Sequence, residues 1–253
     1  MGSTTAAFPP PVRTTLAFRL DPALGECDAL EVGKHNEMKR DMQDIDVLDA
    51  SGRETEFTLD AAGFQFTQHR SSFQDFRDEE AVKTEYYAEV TELAKTITGA
   101  SFAYCYQHLL RASKLEGHEQ PPSNLFGPAN GVHVDYNYTH TPAYIKALPE
   151  RPADWDRLSM YRWAIFSAWR PMSKVTRDAL CVGDKTTIPD SDLVTGTTDM
   201  DRPGRKTTLG LFWVNFNPKQ QYYYKKGMDT EDLLWIKLYD SKLDGRARCT
   251  PHS

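Results

Sequence analysis

Between Asp78 and Thr98 apolar side chains recur at three- and four-residue intervals: Val82, Tyr86, Val90, Leu93 and Ile97. That period marks one face of an α-helix, and Gly99 stands where a left-handed residue would end it. The spacing predicts a helix over 78–98, the clearest in the chain. Upstream, Thr14–Leu20, Glu56–Leu59 and Ala61–Arg70 read as short strands, the first two flanking a charged stretch rich in Asp and Met. Downstream the texture changes. Ser101–Leu110, Gly131–Tyr138, Leu158–Trp169, Ala179–Thr187, Leu211–Phe216, Gln221–Lys225, Leu233–Tyr239 and Arg246–His252 are aromatic and β-branched, and turn-formers bound most of them. So many strands with few helices between them predict a mainly β, antiparallel fold rather than a βαβ sheet. The expected architecture is a jelly-roll barrel over about 101–253, buttressed by the helix and the N-terminal strands. Residues 1–13 are expected to form a disordered lead and 14–253 a single domain.

Composition narrows the function classes. The 253 residues carry 30 basic and 36 acidic side chains, a net charge of −6, with no basic stripe interleaved with aromatics. No nucleic-acid partner is expected. No apolar run approaches the ~20 residues that cross a bilayer, and the N-terminus has no apolar signal core. A cytoplasmic protein without a membrane partner is the expectation. Cys27, Cys105, Cys181 and Cys249 form no CxxC pair, which argues for buried free thiols rather than disulfides or a thiolate metal site.

One tripeptide carries chemistry. His133-Val134-Asp135 lies within the strand-like GVHVDYNY, and residues two apart on a strand project from the same face. An imidazole and a carboxylate aimed together await a third ligand, and a 2-His-1-carboxylate set would leave open positions on iron(II) for a bidentate 2-oxo acid and oxygen. His35 and His69 lie in the N-terminal part, His118 in a charged loop, His108 on an earlier strand, and His140 at helix-like distance. His252 ends the last strand-like segment, which in a jelly roll returns beside the early ones, and is the best third ligand. A surface or core-satisfied pair remains the competing reading of an HxD.

Further segments point the same way. HVDY, FSAWRPM (Phe166–Met172), DALCVGD (Asp178–Asp184), QYYYKKGMDTEDLLWIKLYDS (Gln221–Ser241) and GRARCTPHS (Gly245–Ser253) follow one another in order. They resemble the HVD motif and the N-x-WRP, LALCD, K-x-YDS and ARFTPHTAF segments of a fungal and bacterial hydroxylase/desaturase family. That family includes gibberellin desaturase-like and cephamycin methoxylation-like proteins. Tyr106–Arg111 (YQHLLR) also resembles its DHTVR strand. The resemblance implies a double-stranded β-helix, iron(II) held by His133, Asp135 and His252, and 2-oxoglutarate and O2 as co-substrates. It further implies hydroxylation or desaturation of a small secondary metabolite.

The pattern departs in places. Ser167 stands for the usual Asn, Cys249 for Phe, and Tyr223 and Tyr224 for apolar residues. The chain ends one residue after His252, where family members continue with a strand bearing the Arg expected to hold the far carboxylate of 2-oxoglutarate. A truncated sequence is expected, because a barrel ending there would leave a sheet edge open. Within the chain, Arg170 and Lys237 are the cations expected to bind that carboxylate, with Arg246 and Arg248 as outsiders. Tyr104, Tyr106, Tyr136, Tyr138, Tyr161 and Trp163 are expected to supply a substrate wall. The alternatives are an iron-dependent, 2-oxoglutarate-independent oxygenase or oxidative cyclase, an inactive small-molecule-binding barrel and, more weakly, a zinc hydrolase, which lacks a glutamate base in HVDYNYTH.

Overall fold

A computed structural model of the chain describes residues 9–21, 39–112, 127–129, 131–202 and 205–253. Ten strands dominate it. β1 (Val12–Arg19) and β2 (Arg40–Asp49) pair antiparallel along their full length, from Val12 opposite Val47 to Arg19 opposite Arg40. β2 continues in parallel to β9 (Tyr222–Tyr224), which pairs antiparallel with the two-residue β6 (Val182–Gly183). A second sheet has the order β3 (Phe64–Gln68), β10 (Asp232–Asp240), β5 (Ala164–Trp169). A third joins β4 (His133–Val134), β8 (Arg205–Val214) and β7 (Leu193–Arg202).

The expected helix forms. Asp78 accepts from the backbone N–H groups of Glu80 and Ala81 and caps α1 (Glu79–Ala81). A π-helical stretch, Val82–Tyr86, leads into α2 (Tyr87–Thr98), and Gly99 closes it in the left-handed region at φ +68°. Two short helices, α3 (Thr141–Lys146) and α4 (Trp155–Leu158), follow β4.

β10 is the axis of the core: every one of its residues is buried. Leu233 and Trp235 pack under Val90, Leu93, Ala94 and Ile97 of α2. Leu234, Ile236 and Leu238 face the largest apolar cluster with Phe64, Phe66 and Tyr223. Each such side chain contributes about 1.5–3 kcal/mol. A register shift between Lys237 and Tyr239 against β5 lets Tyr239 join that cluster.

The mainly β character agrees with the sequence; several boundaries differ. Val12 and Arg13, expected in the lead, begin β1. β2 occupies the charged stretch that carried no strand signal, and β7 was equally unheralded. Ser101–Leu110 is irregular, and Glu56–Leu59 is a 3-10 turn end rather than a strand. Arg246–His252 forms only isolated bridges at His252, because its other backbone groups bond to loops, as Ala247 N–H does to Asp60 O at 2.8 Å.

One glycine ties the sheets to the C-terminal segment. Gly63 has φ +84°, and its carbonyl accepts from Lys237 N–H at 2.8 Å and from the Thr250 hydroxyl. A Cβ there would collide with Thr250 Oγ1 and sit 2.9 Å from Cys249 O. Gly63→Ala is expected to cost about 3 kcal/mol from backbone strain and overpacking. A lowered thermal midpoint measures it; an unchanged midpoint would refute this reading of the turn.

Candidate metal centre

β4 places the first two ligands. His133 lies opposite Trp213 and Val134 opposite Phe212 on β8. Val134 is fully buried against Phe212 and Cys249, so His133 and Asp135 emerge on the other face. Asn137, also fully buried, fixes the exit of the strand: its side-chain amide donates to Gly196 O and Leu211 O, and its carbonyl oxygen accepts from His140 N–H.

His252 comes from the far end of the chain and wedges between two sheets. Its N–H donates to His133 O at 2.9 Å and its carbonyl accepts from His133 N–H at 3.1 Å. On its other side it bridges Val182, flanked by Gly183 N–H to Pro251 O at 2.8 Å and reciprocal 3.0 Å bonds between Cys181 and Ser253. The two imidazole rings therefore lie side by side, 4.6 Å between centroids.

Each ring is oriented by its own backbone. Nδ1 of His133 donates to Gly131 O at 2.9 Å, and Nδ1 of His252 donates to Thr250 O at 3.1 Å. Those bonds assign the protons to Nδ1 and leave both Nε2 lone pairs for a ligand. Nε2 of His133 lies 3.2 Å from Asp135 Oδ1 and Nε2 of His252 3.7 Å from Oδ2. One ligand atom from each of the three residues falls within 4.8 Å of the others, the only such cluster among the described residues. Two imidazole nitrogens and a carboxylate oxygen fit iron(II) and leave room for further ligands. The histidine side chains are 15% and 10% exposed and the Asp135 carboxylate 40%, so the centre opens on the carboxylate side.

Charge prepares the site. Burial would raise Asp135, but a doubly protonated His133, which donates to it through Nε2, and the charges of His252 and Arg111 hold it well below the usual carboxylate range. Burial and the neighbouring His133 push His252 down to about 4. Burial also opposes charge on His133, but Asp135 outweighs it and raises the group above its ordinary value. At neutral pH the carboxylate is ionised and His252 neutral, the states a metal requires.

The aromatic residues divide. Tyr136, the chain neighbour of Asp135, joins its hydroxyl to that of Tyr106 at 2.6 Å, with the Tyr104 ring tilted against Tyr106 at 6.0 Å. Tyr138 turns instead to Cys249 Sγ at 3.2 Å beneath the Arg248 guanidinium. Trp163 stacks on Tyr239 at 4.5 Å, and Tyr161 is 68% exposed.

The two cations expected to bind 2-oxoglutarate, Arg170 and Lys237, are bonded to other groups of the protein. Lys237 is fully buried, and its ammonium donates to Asp60 at 2.8 Å, Asp240 at 3.0 Å and Ala247 O at 2.9 Å, which uses all three N–H groups. Arg170 donates to Tyr86 Oη, His69 O, Thr230 O and His69 Nδ1, with Glu89 at 4.0 Å. It locks β5 to the helical run and to the loop before β10. Arg246 pairs with Asp244 and Asp60, and Arg248 donates to Asp240 O. His108 bonds Tyr87 Oη at 2.8 Å; His35 and His118 lie outside the described residues. Arg111, whose charge acts on all three ligands, was not singled out from the sequence as a site residue. Its one signal was its place in YQHLLR.

A 2-His-1-carboxylate cluster that could hold a metal ion, set on a mainly β fold, points to a class: a non-haem iron oxidoreductase. Comparison with known proteins gives the family. A family model described as an oxidoreductase/YMDC permease-like domain matches residues 21–253. Among the described residues no helix is long and apolar enough to cross a membrane. The hydroxylase/desaturase efuI of Hormonema carpetanum is 35% identical over 99% of this chain and 90% of its own length. The hydroxylase/desaturase CTB9 of Cercospora beticola is 31% identical over 93% and 78%. The alpha-ketoglutarate-dependent dioxygenase phiK of a fungal species is 30% identical over 87% and 78%. The fold matches that of the iron and alpha-ketoglutarate-dependent endoperoxidase NvfI with a TM-score of 0.80, at 24% identity over 96% of this chain and 89% of that one. The chain belongs to this family of fungal hydroxylases/desaturases and iron(II)/2-oxoglutarate-dependent dioxygenases.

Proposed function

We propose that the chain is an iron(II)/2-oxoglutarate-dependent oxygenase that hydroxylates or desaturates a small secondary metabolite. The observation that carries this reading is the convergence of His133, Asp135 and His252, with both Nδ1 protons committed to backbone carbonyls. Those three residues would hold the iron. When bound, the metal would activate O2, with a 2-oxo acid giving up two of the four electrons that O2 takes and the substrate the other two. The protein's share is geometric: the bridged backbones of His133 and His252 fix two ligands side by side, and Asp135 stays ionised to neutralise the cation. The Tyr106 and Tyr136 hydroxyls, joined at 2.6 Å, would contribute an aromatic wall beside the carboxylate.

The fold is read as a double-stranded β-helix in a single domain spanning residues 14–253. The antiparallel β5–β10 pair and the placing of residue 252 between β4 and β6 support it. The partner is a small molecule rather than nucleic acid or a membrane, and the cytoplasm is the location this reading entails.

Anaerobic addition of iron(II) and then 2-oxoglutarate to metal-free protein tests the proposal. The expected result is a weak visible charge-transfer band that requires both. Bound iron without a band on adding the acid would discard 2-oxoglutarate and leave an oxygenase independent of it.

A further inference from the structure

His133 and His252 are each held on a backbone rung, but Asp135 is not. β4 ends at Val134, opposite Phe212, and the chain next meets β8 where Asn137 N–H donates to Gly210 O at 2.8 Å. Three steps along the chain, Val134 to Asn137, therefore oppose two, Phe212 to Gly210. The extra residue makes a bulge at Asp135 and Tyr136. The Asp135 carboxylate is also the most open of the three ligand side chains, at 40% exposure, so packing does little to hold it. Its aim is left to the two points at which the chain leaves the ladder and rejoins it.

The second of those points is Asn137. Its side chain is fully buried and lies over Gly210, where an added Cβ would come within 2.4 Å of Nδ2 and 2.6 Å of Oδ1. From there the amide nitrogen donates to Gly196 O on β7 at 3.3 Å and to Leu211 O on β8 at 3.4 Å. The side-chain carbonyl accepts from His140 N–H at 2.8 Å, and the backbone carbonyl accepts from the Thr141 hydroxyl at the head of α3. A turn-former needs only the bond to His140 N–H. The donations to two further strands do more: they fix the end of the bulge, and with it the residue two places back.

We propose that Asn137 is a positioning residue for the metal centre and acts through Asp135, a role that rests on the reading of Asp135 as a ligand. A ligand has to be held to within about 0.5 Å of its productive place, and groups that orient ligands from behind carry roughly 10–100-fold in metal affinity. With Asn137 cut back, the bulge is fixed at one end only, and Asp135 gains freedom that it must lose again on binding metal. The two histidines, bridged backbone to backbone, keep their places. Gly210 belongs to the same device, because only glycine leaves room for the amide.

The test measures iron(II) affinity by anaerobic equilibrium dialysis, at a temperature where circular dichroism shows each variant folded. Asn137→Ala is expected to bind iron roughly 10-fold more weakly than wild type. Asn137→Ser, whose hydroxyl can still accept from His140 N–H but is too short to span to Gly196 and Leu211, weakens binding alike. It takes the alanine variant's place throughout if that variant does not fold. Lys237→Met, whose ammonium serves Asp60 and Asp240 instead, binds iron within about twofold of wild type and so separates lost affinity from lost stability. The decisive comparison is made on Asp135→Ala, with nickel(II) as the probe because nitrogen ligands hold it more tightly than iron(II). With Asp135 present, Asn137→Ala weakens nickel roughly 10-fold, as it does iron. On Asp135→Ala it is expected to change nickel binding by less than about twofold, there being no carboxylate left to aim. Equal weakening with and without Asp135, or wild-type iron affinity in both Asn137 variants, would overturn the assignment. Unchanged iron affinity in Asp135→Ala alone fails the reading of Asp135 as a ligand instead, and is seen before Asn137 is altered.

Discussion

Iron is expected to bind His252→Ala at least about 100-fold more weakly than wild type. Removing even the outer partners of metal ligands costs 10–100-fold, and loss of a ligand itself exceeds that range. The backbone bridge between residues 252 and 133 needs no imidazole, so the variant keeps its fold while it loses the metal. Equilibrium dialysis with iron(II) measures the affinity, and thermal melts with and without iron give a second readout. A ligand that binds only the folded state stabilises it by about 2.7 kcal/mol at a hundredfold excess over Kd, and that increment vanishes with the site. His133→Ala behaves alike. His108→Ala, which removes a ring bonded to Tyr87 rather than to the cluster, leaves iron binding unchanged. Equal iron affinity in His252→Ala and wild type would remove His252 from the centre.

Lys237→Met is expected to act on stability and not on co-substrate. The ammonium sits at 0% exposure among Asp60, Asp240 and Ala247 O, and Asp240 is itself fully buried. Deleting one partner strands buried charge, which costs about 3–5 kcal/mol. Arg162, 2.7 Å from Asp240, keeps the loss near the lower figure. With 2–4 °C per kcal/mol for a chain of this size, the midpoint falls by roughly 10 °C. The pH dependence follows in sign. Burial would raise Asp240, but its bonds to Arg162, Lys242 and Lys237 hold it below the usual value. Its contribution is therefore present above the unfolded Asp value near ~4 and is lost as pH falls through the lower folded one. The gap between wild type and Lys237→Met should be full at neutrality and narrow in acid. If the variant were as stable as wild type and instead bound 2-oxoglutarate weakly, Lys237 would return to the site.

The history of Lys237 shows what a sequence carries. A lysine between Ile236 and Leu238 was noticed, but alternation alone left it either facing solvent or facing a ligand. Which face of β10 is covered depends on α2 packing over Leu233 and Trp235, a contact made across more than a hundred residues and invisible to local pattern. β2 was missed for a related reason. Its Asp-rich sequence, RDMQDIDVLD, has low strand propensity, and only its pairing with β1 and β9 makes it a strand. His133 and Asp135 were legible because the two-residue period of a strand is local chemistry. His252 became legible through expected topology and family resemblance together. Ser101–Leu110 misled: Tyr106 packs against the core while the segment's backbone stays irregular. Arg111 closes that segment, and nothing in its immediate neighbours told it apart from a solvated charge.

The single-residue bridge at His252 also makes the metal an inspector of assembly. Between β4 and β6 the C-terminal segment is held at one rung, and side chains alternate from rung to rung. A slip by one position would present Pro251 or Ser253 to Asp135 and send the imidazole to the opposite face. Neither replacement offers an imidazole nitrogen. The fraction of molecules that take up iron thus counts those in which the segment at residue 252 has met β4 and β6 in the right register, and partial loading of a purified sample measures misassembly before it measures affinity.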